Sequence, residues 1–182
     1  MKKNSGEILY SKGNNDECYT PAYAVEILKP YLEQFKCKTI WCPFDTSNSQ
    51  FVQLLKQWGH KVINSHIKYG QNFYTYTPEH FDLIVSNPPF TNKRKIFERC
   101  MSFTKPFALL MSVVWLNDKA PKEVFGNELQ LLLPDERIYY YDDKGNCMGR
   151  PSFSSAYFCR DFLAKDICVC KLNKSLTNSL KA

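Results

Sequence analysis

The sequence predicts an α/β fold, a doubly wound and mostly parallel sheet with an antiparallel strand arrangement toward its C-terminal end. Two observations predict it. Short apolar runs alternate with amphipathic helical stretches, and strand, helix and strand follow one another within about 30 residues, the βαβ unit of a parallel sheet. The run "FDLIVS" at 81–86 is apolar almost throughout, as expected of a strand covered on both faces.

In chain order, residues 1–17 are polar and read as an N-terminal arm, residues 18–173 as a single domain, and 174–182 as a tail. The 182-residue length fits one domain with a substantial core. In "YTPAYAVEILKPYLEQF", Thr20 suits a helix N-cap and Pro21 the first helical position, while Val25, Leu28 and Leu32 recur at helical spacing. Pro30 predicts a break or kink. "CKTIWCPFD" reads as a buried strand ending in a proline turn, and "SQFVQLLKQWG" as an amphipathic helix stopped by Gly59. "HKVINSH" supplies the second strand, "FDLIVS" the third, 93–103 a helix, and "PFALLMSVVW" the fourth main strand. Beyond Pro134, "RIYYYD", "AYFCRDFL" and "DICVCKL" read as antiparallel strands joined by the turn-rich "DKGNCMGRPSFSS".

Composition narrows the function classes. Hydrophobic residues at 44% and charged residues at 23% are globular values, and no run approaches the roughly 20 apolar residues of a membrane span. With eight cysteines but no apolar signal segment after Met1, a reducing cytoplasm is the expected location. Cys168 and Cys170 share one face of a strand, where core packing outweighs a metal site, and no metal is expected. The formal charge of +6 is compatible with a polyanion, and Lys93, Arg94 and Lys95 concentrate charge after the third strand; Lys2, Lys3 and Lys12 lie in the arm.

The chemistry centres on "SNPPF". Ligands of open α/β sheets bind beyond the carboxyl ends of the strands, where this motif falls. Pro88 and Pro89 stiffen the backbone and donate no N–H, so nearby carbonyls are left as acceptors. Asn87 adds an amide oxygen, and Phe90 a face for a planar ring. Acceptors beside a stacking ring suit the exocyclic amino group of a base, and adenine N6 is the specific case. A strand-to-loop turn is the structural alternative.

With these residues in view, the chain resembles the S-adenosylmethionine-dependent adenine-N6 methyltransferases, particularly the short single-domain ones of bacteria and phages. Asn87, Pro88, Pro89 and Phe90 match the family's catalytic motif of Asp or Asn, Pro, Pro, and Tyr or Phe. The resemblance implies a Rossmann-like methyltransferase fold, S-adenosylmethionine as cofactor, and a flipped base stacked on Phe90 and methylated without a covalent enzyme intermediate. It implies cofactor contacts from Tyr19, Thr20 and Pro21, from Pro43, Phe44 and Asp45 in the first-strand loop, from Ser65 and His66 after the second strand, and from Asn72 and Phe73 toward adenine.

The departures are specific. "PFDTSNSQF" lacks the glycines of the family's loop, and Ser65 and His66 stand where an acid commonly binds ribose. Asp45 is either a polar cofactor contact or the N-cap of the following helix. Lys93, Arg94, Lys95, Arg150 and Phe153 are the candidate nucleic-acid contacts, and Trp115 and Asn117 either line the base pocket or, for Trp115, belong to the core. DNA stands ahead of RNA as the expected polymer, with a specificity partner or a homodimer as options. RNA, cytosine N4, protein glutamine and a non-catalytic decoy module are the alternatives.

Overall fold

The computed structural model describes residues 18–36 and 38–175. The expected arm at 1–17 and most of the tail lie outside the described residues. In chain order the elements are α1 (Ala22–Glu26), α2 (Lys29–Leu32), β1 (Thr39–Cys42), α3 (Gln50–Gln57), β2 (Lys61–Asn64), β3 (Leu83–Ser86), α4 (Lys93–Ser102), β4 (Phe107–Ser112), α5 (Lys119–Phe125), β5 (Gln130–Pro134), β6 (Ser155–Arg160) and β7 (Ile167–Cys170).

All seven strands join one sheet in the order β2-β1-β3-β4-β6-β5-β7. β1 pairs in parallel with β2 and β3, and β3 with β4. β6 runs antiparallel to β4 and to β5, which flank it. The α/β expectation and the antiparallel C-terminal arrangement are both met, with one correction: β7 pairs with β5 in parallel.

Period-2 alternation divides the core between the two faces of the sheet. Ile40, Cys42, Leu83, Val85 and Leu110 point to the side covered by α1, α2 and α3. Trp41, Ile84, Phe107, Leu109 and Met111 point to the side covered by α4 and α5, where Phe97 stacks on Trp115 at 5.0 Å. Trp115 is therefore core.

Local corrections follow from competing partners. The N-cap of α1 is Pro21, one residue beyond the expected Thr20, whose hydroxyl accepts a hydrogen bond from Asn87 Nδ2 at 3.0 Å. Pro30 falls within the first turn of the separate helix α2, so the chain breaks before it. Ser49 caps α3, accepting from Val52 N at 3.2 Å, which removes that role from Asp45. Gly59 ends the helix at φ +86°, a conformation that suits glycine. "RIYYYD" forms no strand of the sheet; Tyr141 instead makes antiparallel bridges to Tyr19 and to Cys147, building a small flap at residues 140–148.

Candidate active site

A cavity of about 790 Å³ opens at the carboxyl ends of β1 and β3, within the size range of small-molecule sites. The chain's geometry explains its position. β1 and β3 are adjacent and parallel, so their two outgoing loops, one carrying Pro43, Phe44 and Asp45 and the other Asn87 to Phe90, face one another across the sheet edge.

Asn87 is fixed from one side only. Its amide nitrogen donates to Thr20 Oγ1, which leaves Oδ1 as the remaining acceptor, buried and without a protein partner. A buried, unpaired acceptor costs free energy unless a ligand donor arrives. Phe90 lines the same cavity and meets Phe153 edge to face at 5.3 Å. Phe153 in turn lies 6.2 Å from Tyr140, whose hydroxyl is 2.8 Å from Ser155 Oγ. The ring of Phe90 is thus backed by an aromatic wall rather than left loose.

Asp45 is 6% exposed and lines the cavity. Its carboxylate accepts hydrogen bonds from the hydroxyls of Ser86 and Ser49. Burial outweighs these two bonds and lifts the carboxyl to about 6. Asp142 and Asp143 also line the cavity, while among the described residues no lysine or arginine does and His66 is the one side chain of basic type in its wall. This wall is acidic in a chain whose net charge is +6. Such a site suits a compact cation and disfavours the phosphates of a dinucleotide.

The cavity brings together Tyr19, Thr20, Pro43, Phe44, Asp45, His66, Asn72 and Phe73 with the whole Asn87–Phe90 motif. Phe73 packs against Phe44 at 4.7 Å, offering an apolar wall, and Asn72 Oδ1 accepts from Tyr74 N in a local turn. His66 caps a short 3-10 turn, its Nδ1 accepting from Lys68 N at 3.1 Å. Pro21 and Ser65 do not line the cavity. Ser65 is fully buried, and its hydroxyl accepts from Trp41 Nε1 at 2.9 Å. The sequence reading missed Tyr140, Tyr141, Asp142 and Asp143, which reach the cavity because the flap docks on Tyr19 through a pair of backbone hydrogen bonds of 2.9 and 3.0 Å.

Outside the cavity, Lys95 and Arg150 are exposed and Lys93 is half-buried. Arg94 is engaged: its guanidinium donates to Glu98 and to Glu123, both at 2.7 Å, tying α4 to α5. Among the described residues no group of three His, Cys, Asp or Glu could hold a metal ion, and no helix is long and apolar enough to cross a membrane. Cys168 and Cys170 pack against the core.

No family model matches the chain, and no curated protein matches it in sequence. Solved structures align with it at low identity. A candidate RNA methyltransferase from Pyrococcus horikoshii aligns with TM-score 0.49 and 9% identity, covering 90% of this chain and 100% of its own. A candidate class I S-adenosylmethionine-dependent methyltransferase from Listeria monocytogenes gives TM-score 0.49 and 10% identity over 92% of this chain and 71% of its own. A candidate methyltransferase from Thermoplasma acidophilum gives 0.38 and 8%, over 84% and 69%.

Proposed function

We propose that the protein transfers a methyl group from S-adenosylmethionine to the N6 amino group of adenine in nucleic acid, with DNA as the first polymer to test. The observation that carries the reading is Asn87 Oδ1, a buried acceptor with no protein partner in a residue that lines the same cavity as Phe90. The residues present fit the cofactor. The cavity has ample volume, its wall carries Asp45, Asp142 and Asp143 with no lysine or arginine among the described residues, and Phe44 and Phe73 offer apolar surface for a purine.

When bound, the cofactor supplies an electrophilic methyl group on a sulfonium. The chain's own groups supply placement. Asn87 Oδ1 and the carbonyl at Pro88 accept the two amino hydrogens, which turns the nitrogen lone pair toward the donor. Phe90 holds the plane of the base, with Phe153 behind it. Proximity and orientation carry such a reaction, since the amine sheds its proton after the new bond has made it cationic. Lys93, Lys95 and Arg150 are the side chains proposed to meet phosphate, whereas Arg94 is committed to its glutamates.

The test is transfer of radiolabelled methyl to DNA, RNA and protein pools, followed by nucleoside and amino-acid analysis. Label is expected in N6-methyladenine. Label in cytosine N4 or in glutamine overturns the substrate assignment, and label in RNA alone overturns the choice of polymer.

A further inference from the structure

We infer that Asp45 is the counter-charge for the sulfonium of the methyl donor, and that it thereby distinguishes the donor from its demethylated product. The inference rests on the cofactor reading above and assigns the role to one side chain.

Three observations carry it. Asp45 lies in the cavity wall, nearly fully buried, and among the described residues no ion pair includes it; its carboxylate partners are the hydroxyls of Ser86 and Ser49. Second, Ser86 directly precedes Asn87, so the hydrogen bond from Ser86 fixes Asp45 at the end of the cavity that holds the unpaired amide oxygen. A methyl donor must bring its sulfur to that end, because reacting atoms need to approach within about 3–3.5 Å. Third, a buried carboxylate without a cation is left with an uncompensated charge, and it gains most from a ligand that brings one.

Charge changes during the reaction give the specificity. The sulfur–methyl bond breaks with its electron pair remaining on sulfur, and a carbon–nitrogen bond forms. Positive charge passes to the amine, which releases a proton to solvent. The product is a neutral thioether, so the attraction of Asp45 acts on the donor and not on what remains after transfer.

Proton linkage makes the role measurable. In the free protein the carboxyl titrates at about 6. A cation bound beside it lowers that value, so binding near pH 6 releases protons and binding at pH 8 does not. Cys42 on β1 and Tyr157 on β6 feel the same charge, but burial holds both well above their ordinary ranges and they stay protonated here. Ser49 and Ser86 do not titrate. Asp142 is held low by its turn hydrogen bonds to Asn146 and Lys144 and stays ionised. His66 and Asp143 share the wall, so the variants His66→Asn and Asp143→Asn serve as controls.

The experiment is titration calorimetry on the full chain with S-adenosylmethionine, with S-adenosylhomocysteine, and with sinefungin, which carries an ammonium carbon in place of the sulfonium. Two buffers of different ionisation enthalpy at pH 6 and at pH 8 count the protons. The two cationic ligands should bind with proton release at pH 6. Asp45→Asn should weaken both by about tenfold or more, since each tenfold corresponds to one unit of linked pKa, and abolish the release. S-adenosylhomocysteine should change by less than about threefold. Equal losses for all three ligands, or proton release that persists in Asp45→Asn, overturn the inference while leaving the cofactor reading standing. Binding of none of the three by the wild-type chain overturns both. Should Asp45→Asn fail to fold, the wild-type proton count decides alone: no release at pH 6 overturns the inference.

Discussion

Asn87 and Asp45 follow neighbouring parallel strands and bring two electronegative groups into one cavity, an unpaired amide oxygen and a buried carboxylate. Asn87→Ala should lower transfer by at least about a hundredfold, since it removes a hydrogen bond that strengthens toward the transition state. Cofactor affinity should stay within about threefold in calorimetry, and a fully active variant removes Asn87 from the mechanism. Asp45 carries a stability cost that can be read from pH. Its folded-state value, about 6, lies above the ordinary 3.8, so its contribution is fully present below 3.8 and is lost as pH rises through 6. The rise corresponds to roughly 3 kcal/mol. Asp45→Asn escapes that loss, so its melting temperature should exceed that of the wild type at pH 8 by more than it does at pH 5. The sequence made Asn87 legible because the residues around it form a motif. It could not reveal that Ser65 serves Trp41 instead of the cavity, because a serine at a strand end is equally suited to a neighbouring indole 24 positions away in sequence.

Elements, rather than single residues, decide how the cavity is enclosed. The flap at 140–148 is held by its bridge to Tyr19 and by Tyr23, whose hydroxyl accepts from Tyr139 N at 2.8 Å and faces Tyr139 O at 3.3 Å. Tyr23→Phe should cost about 1 kcal/mol of local stability and speed amide exchange across 139–148. Cofactor affinity should fall severalfold with it, because the flap supplies part of the wall; unchanged exchange would show that the backbone bridge alone holds the flap. For α3, Ser49→Ala should lower stability by about 1 kcal/mol through loss of the N-cap, measured by denaturant unfolding. Helices α1 to α4 and the first four strands, though not α5 or β5, were legible because hydrophobic periodicity follows burial on both faces of a sheet. The flap was not. "RIYYYD" has strand composition, yet the sheet position beside β5 is taken by β6 and β7, and Tyr141 pairs instead with an N-terminal residue more than a hundred positions away. No local pattern encodes a pairing of that separation.

Across the whole molecule, charge is sorted by location. The chain carries 24 basic and 18 acidic residues, but among the described residues the cavity wall holds three aspartates and neither lysine nor arginine. A long polyanion and a small cation can therefore be attracted to different regions of one surface. Binding to oligonucleotides should weaken steeply with salt, and Lys95→Ala should reduce the slope by about one. Arg94→Ala should leave that slope nearly unchanged, since Glu98 and Glu123 already neutralise the guanidinium. Equal effects of the two variants would place Arg94 on phosphate after all. Net charge was visible in the composition, whereas its sorting depends on which helices meet: the pairing of Arg94 with Glu123 exists because α4 packs against α5.

The position of β6 sets an order on folding. It lies between β4 and β5, although both precede it in the chain, so β5 has no place in the sheet until residues 155–160 have been added. Pairings of this separation form slowly. On the ribosome, Asn87 and Asp45 can be brought together by β1 and β3 long before Phe153 has been synthesised, and the segment carrying the flap has β5 at one end and β6 at the other. A nascent chain thus holds the Asn87–Phe90 motif while lacking the wall behind Phe90, and the cavity is complete only once the last strands close the sheet.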